Sequence, residues 1–156
     1  MSKEKYILVI ADGSKEMKVA LQYACARSKK TNRKIIIATF IEPLDVLTTQ
    51  GVTEIMQNEA REETEKNLKY AASIVKESTG FMPVLQIREG EIMKELKDLV
   101  DEEKNINVLV IAANVDEKDN QGPIINALVS KELSNFRVPV MIVPGNFSKD
   151  HIALLT

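Results

Sequence analysis

Tyr6-Ile7-Leu8-Val9-Ile10-Ala11-Asp12-Gly13-Ser14 is the stretch on which the fold turns. Its first six residues are apolar without a break. A strand with one wet face alternates apolar and polar residues, so an unbroken run marks a strand covered on both faces, as in a parallel sheet. Asp12-Gly13-Ser14 then stops it, with Ser14 expected to cap the next helix. Beyond the break, Met17, Ala20, Leu21, Ala24 and Ser28 recur at helical spacing, leaving Lys15, Lys18, Gln22 and Lys29 towards water.

The same alternation continues outward. Lys34 to Ile41 reads as a second buried strand, closed by Glu42-Pro43. After a loop through Gly51, a long helix is expected from about Thr53 to Thr79. Its front half, Gln57 to Asn67, is nearly all charged or amide, and its back half supplies Leu68, Ala71, Ala72 and Val75 to a core. Gly80 stands where a helix end favours positive φ. Pro83 to Arg88 is a less apolar strand, placed near an edge. Ile92, Leu96, Leu99 and Val100 mark a third helix, and Val108 to Ala113 a fourth strand. A polar loop from Asn114 to Gln121 leads to Gly122-Pro123, which opens a fourth helix with Ile125, Leu128, Val129, Leu133 and Phe136 on one side. Val138 to Val143 is a fifth strand, and Asn146 to Thr156 a tail. Strands alternating with helices imply right-handed crossovers and an α/β fold, an open, mostly parallel sheet with helices on both faces. No linker or repeat divides it. The expected organisation is one domain over residues 1–145 and a tail over 146–156.

The chain has 156 residues, enough for one sizeable core, and its 21 basic and 23 acidic residues leave a formal charge of −2. That balance offers no basic stripe for nucleic acid. The N-terminal apolar run is too short for a signal peptide or a membrane span. One cysteine, Cys25, permits no internal disulfide, so the expectation is a cytoplasmic protein in a reducing compartment.

In open sheets of this kind, ligands sit beyond the C-terminal strand ends where the strand order reverses. Asp12-Gly13-Ser14 and the segment from Ala112 to Gly122 are expected to meet there. The helix opening at Gly122 would aim free N–H groups at an anion. Catalytic chemistry is not indicated. Cys25 follows Ala24 on a packed helix, and the single histidine, His151, lies in the tail. There is no Cys-x-x-Cys, no histidine pair, no Walker motif and no Gly-x-Gly-x-x-Gly. A metal site and an enzyme are both disfavoured on these grounds. Asp12 has two readings, a ligand contact or a turn carboxylate bonding nearby N–H groups. Ser14 reads better as a cap than as a phosphate contact.

The opening strand ending in Asp12-Gly13-Ser14, the strand Val108-Leu109-Val110-Ile111-Ala112 and the closing Val138-Pro139-Val140-Met141-Ile142-Val143-Pro144 together resemble the universal stress protein family. The resemblance implies a Rossmann-like sheet of five parallel strands in the order 3-2-1-4-5 and a homodimer paired through Val138 to Val143. It implies a role in stress adaptation through a protein partner, without nucleic acid or membrane. The ATP-binding branch carries Gly-x-x-Gly, nine residues, then Gly-Ser/Thr after strand four, so that backbone amides wrap the phosphates. In this chain the final pair falls on Asn126-Ala127 and the earlier glycines on Ala113 and Asp116, or on Ala112 and Val115 one residue back; Gly122 matches none of them. What matches is the base end. Asp12 stands at the acidic position that contacts the nucleoside, and Phe40 where an apolar residue lies beside adenine. The implied crevice therefore comprises Ala11, Asp12, Gly13, Ser14, Phe40, Ala112, Ala113, Asn114, Asn126 and Ala127. It is expected to be degenerate, binding ATP, ADP or AMP weakly if it binds nucleotide at all. The alternative is a family member that binds ATP or AMP and hydrolyses it slowly. Adenylylating enzymes and receiver domains fit less well, since their phosphate-loop and acid-pair motifs are missing after strand one.

Overall fold

In the computed structural model, which describes residues 4–42, 50–116, 122–130 and 132–156, with 50–53 as backbone alone, the opening run forms the central strand β1, Tyr6–Ile10. Its side chains divide between two cores. Ile7, Val9 and the following Ala11 enter one, and Leu8 and Ile10 the other. The unbroken apolar run follows from that division, because each face of the sheet is covered by helices.

The chain continues as α1 (Met17–Thr31), β2 (Lys34–Ile41), α2 (Gln50–Thr79), β3 (Val84–Glu89), α3 (Ile92–Glu102), β4 (Ile106–Ala113), α4 (Pro123–Ser130), β5 (Val140–Pro144) and α5 (Lys149–Leu155), with a 3-10 turn at Glu132–Asn135. The sheet order is β3-β2-β1-β4-β5, and all four pairings are parallel. This is the expected Rossmann-like α/β architecture. Helices α1 and α2 contribute Leu21, Ala24, Leu68 and Val75 to one core, while α3 and α4 contribute Leu96, Leu99, Ile125 and Leu128 to the other. Each fully buried aliphatic side chain contributes about 1.5–3 kcal/mol of transfer free energy. The two helical layers therefore hold the sheet from opposite sides. β3 is an edge strand, as its weaker apolar character suggested.

Several details differ from the sequence expectations. Ser14 is not the cap of α1: Glu16 occupies that position without a side-chain cap bond. The Ser14 hydroxyl donates instead to Asp12 Oδ1 at 2.6 Å, a charge-assisted bond that takes the oxygen's proton elsewhere. Helix α2 begins at Gln50, ahead of Thr53, and the loop before it falls at 43–49, outside the described residues, as does the 117–121 part of the polar loop. The fourth helix ends at Ser130. Val129 is exposed on α4 itself and Leu133 in the tighter 3-10 turn beyond it, while Phe136 packs on the core. The stretch expected as a tail contains α5, capped by the Ser148 side chain, which accepts from the His151 N–H. α5 packs on α1 and buries Ile152. Among the described residues no helix is long and apolar enough to cross a membrane.

Candidate functional site

The reversal of strand order lies at β1, which has β2 on one side and β4 on the other. The loops leaving β1 and β4 meet there. Asp12 Oδ1 accepts the Ser14 N–H at 3.0 Å as well as the Ser14 hydroxyl, which makes the first loop a closed Asx turn. Gly13 within it has φ +76°, and a Cβ would come to 2.5 Å of Asn67 Nδ2. In the other loop, Asn114 Oδ1 accepts the Asp116 N–H at 2.8 Å. An ion pair between Lys15 and Asp116 ties the two loops together.

Between them lies a cleft of about 290 Å³. Its polar lining is Asp12, Ser14, Glu16 and Asn114, and its apolar wall includes Ile92, Ile111, Ala112 and the first turn of α4. Pro123 opens that helix, where its missing N–H costs nothing, and the N–H groups of Ile124 and Ile125 follow without intrahelical acceptors. Among the described residues the lining holds two carboxylates and neither lysine nor arginine. A positive helix end thus meets a negative rim, so a polar ligand of low charge is favoured over a highly anionic one.

Of the ten residues expected at the crevice, Asp12, Ser14, Ala112 and Asn114 line the cleft. Ala11 is buried in the core beneath it, and Phe40 packs partly buried against the opposite core. Gly13 shapes the turn. Ala113 is buried, and its carbonyl accepts the Gly145 N–H at 2.9 Å. Asn126 is exposed, with its N–H donating to Gly122 O at 3.0 Å, and Ala127 O accepts from the Ser130 hydroxyl. These two residues of the supposed phosphate end are absent from the cleft wall. Glu16, Ile92, Ile111, Ile124 and Ile125 of the lining were missed, as was Gly145, which lies beside Glu16. Ile92 was readable only as a core residue of α3. Gly145 carried one signal, a glycine directly after the last strand: a Cβ there would overlap the Ala113 carbonyl and approach Glu16 Cβ to 2.7 Å.

The reactive groups lie elsewhere. Cys25 is buried in the α1 core, and burial pushes its thiol up, opposed by a Ser78 hydrogen bond and the Lys29 charge. His151 is exposed on α5, its ring edge-on to Phe147 at 4.6 Å. Among the described residues no three His, Cys, Asp or Glu side chains are grouped to hold a metal. The buried thiol has a direct consequence. At pH 8 a thiol–disulfide reagent should react with the native protein only at the rate of opening, and immediately in denaturant. Because the folded thiol titrates above the unfolded one, its contribution to stability is complete below about pH 8.5 and lost as the pH rises further. Rapid labelling of native protein would contradict this burial.

The comparisons with known proteins agree with this fold. The family model described as "Universal stress protein family" matches residues 4–144. The universal stress protein UspA from Lactobacillus plantarum superposes with a TM-score of 0.76 at 14% identity, over 92% of this chain and 99% of that one. A universal stress protein in complex with cAMP gives 0.68 at 21% identity, over 93% and 100%. The universal stress protein from Archaeoglobus fulgidus in complex with dAMP gives 0.61 at 15%, over 92% and 99%. No curated protein matches the chain in sequence.

Proposed function

The chain belongs to the universal stress protein family, and from that premise we propose that it is a non-enzymatic, cytoplasmic stress-response protein. In this reading its crevice takes a nucleoside or nucleoside monophosphate and excludes the triphosphate. The observation that carries it is the lining of the cleft: carboxylates from Asp12 and Glu16, no cation among the described residues, and a volume of about 290 Å³. That is at the small end of ligand pockets, which span about 300–1,000 Å³. Two similar structures are complexes with cAMP and dAMP, both single-phosphate adenine nucleotides. Asp12 keeps Oδ2 outside the turn bonds, positioned to accept from a sugar hydroxyl. The Lys15–Asp116 ion pair joins the two loops that flank the cleft. Signalling then passes to a protein partner through occupancy of the crevice, in a homodimer joined along β5.

Calorimetric titration with adenosine, AMP, ADP and ATP tests this reading. Adenosine and AMP should bind saturably, and ATP at least about tenfold more weakly than AMP, since each further charge set near a carboxylate costs on the order of 1 kcal/mol even in water. Asp12→Asn keeps the turn acceptor but removes the charge, and should weaken adenosine roughly tenfold. ATP binding equal to AMP binding or tighter, with release of phosphate, would establish the hydrolytic alternative. No binding of any adenine compound would remove the nucleotide from the crevice.

A further inference from the structure

Opposite the crevice, at the N-terminal ends of the strands, the chain gathers positive charge. Lys5 precedes β1, Arg33 and Lys34 open β2, Lys104 lies just ahead of β4 and Arg137 ahead of β5. Acidic residues follow the other ends: Asp12 after β1, Glu42 after β2, Glu89 at the end of β3 and Asp116 after β4. Because every strand is parallel, this alternation in sequence becomes a separation of charge in space.

Within the basic pole lies an open depression of about 520 Å³, walled by Lys5, Lys104, Asn105, Asn107 and Arg137 over a small apolar floor. Three of these side chains are cations, and among the described residues no carboxylate lines it. Arg137 is fixed in place. Its Nε and Nη2 donate to the carbonyls of Val100, Glu103 and Ile106 at 2.7–3.0 Å. Two of these carbonyls close the C-terminal end of α3, whose dipole favours a cation there, while the Nη1 donors of Arg137 take no part in these bonds. Asn107 Oδ1 accepts from Arg33 at 2.8 Å, which leaves the Asn107 Nδ2 as a donor. Neither Lys5 nor Lys104 has an ion-pair partner among the described residues. The carboxylates beside the depression face Tyr6: Glu4 accepts the Tyr6 hydroxyl at 3.1 Å, and Glu103 also acts on that hydroxyl.

We propose that this depression binds a small multivalent oxyanion of the phosphate class, gripped by the Lys5 and Lys104 ammonium groups against the preset Arg137 guanidinium and the Asn107 amide. Two mobile point charges around one fixed fork suit a tetrahedral oxyanion. The lining carries no aromatic ring on which a base would stack, which argues against an oligonucleotide. The site is distinct from the crevice and does not depend on what the crevice holds.

The test is pyrophosphate titration of the full chain at low salt, followed by amide chemical shifts. Saturable shifts are expected at Lys104 to Asn107 and at Arg137 and Val138, fading as salt rises through the Debye range. Lys5→Gln with Lys104→Gln should weaken binding by roughly tenfold or more, as expected from two lost charge contacts. Both lysines are exposed, so the fold should persist, and Lys104→Gln alone serves as a second variant. Orthophosphate against glycerol phosphate separates an inorganic ion from a phosphate ester, and preference for either upholds the site. Adenosine should not compete. The proposal is overturned if no saturable shifts appear at this pole, if they survive the double variant unchanged, or if Lys18→Gln with Lys29→Gln on α1 weakens binding equally.

Discussion

Gly145→Val is expected to lower the stability of the fold by about 2–4 kcal/mol, combining overpacking of about 1–3 kcal/mol with a weakened hydrogen bond of about 1 kcal/mol. The reason is what stands against the glycine. Its N–H donates to the Ala113 carbonyl at 2.9 Å, and a Cβ would overlap that same oxygen while approaching Glu16 Cβ to 2.7 Å. A backbone carbonyl inside a sheet has nowhere to move, because β4 is held by β1 on its other side. The strain must therefore open the β4–β5 end or push Glu16 away from the cleft that it lines. For a chain of this size the melting temperature should fall by roughly 5–15 °C. Gly80→Ala is the control. Gly80, unlike Gly145, has a positive φ, at +82°, but nothing lies within 4 Å of its Cβ position, so the cost should stay near 1 kcal/mol. Chemical denaturation with an unchanged slope measures both. Equal costs for the two variants would show that the Ala113 contact is not the constraint.

The difference between these glycines marks what can be read from sequence alone. Gly80 announces itself because a helix end is a local event, with its backbone conformation set by the residues just before it. Gly145 is constrained by a carbonyl 32 residues away, as the numbering of Gly145 and Ala113 shows, and no local pattern carries that information. The strands divide in the same way. β1, β2 and β4 were legible because covering both faces demands unbroken apolar runs, and their order followed from the family resemblance. Ser14 was misassigned because two acceptable local bonds compete for one hydroxyl, and proximity to Asp12 decides between them. Helix α5 escaped although Ser148 precedes it, since seven residues with a single buried anchor, Ile152, leave almost no periodicity to detect. Four of the ten expected crevice residues followed the same logic. Asp12, Ser14, Ala112 and Asn114 sit directly at strand ends, whereas Asn126 and Ala127 were placed by motif spacing and do not line the cleft.

In the proposed homodimer, the charges on each sheet edge favour β5 as the seam. β3 exposes Val84 and Leu85, but it also carries Arg88, bonded to Glu102 at 2.5 Å, and Glu89, paired with Arg61. Charged side chains along an edge oppose pairing with another strand. β5, Val-Met-Ile-Val-Pro, has no charge at all and leaves Met141 37% and Ile142 42% exposed. A two-fold pairing of β5 with its copy would cover both and supply partners to the open backbone groups. Ile142→Arg would place two guanidinium groups in that seam without acceptors. An unpaired charge buried this way costs several kcal/mol, so dissociation should increase by at least about 100-fold. Sedimentation equilibrium should then show a dimer for the parent chain and a monomer for the variant at the same concentration of about 50 µM. The circular dichroism of the variant should be unchanged, because Ile142 supports neither core. Val84→Arg on the opposite edge should leave the dimer intact. A monomeric parent chain would sink the pairing, and dissociation by Val84→Arg in place of Ile142→Arg would move it to β3.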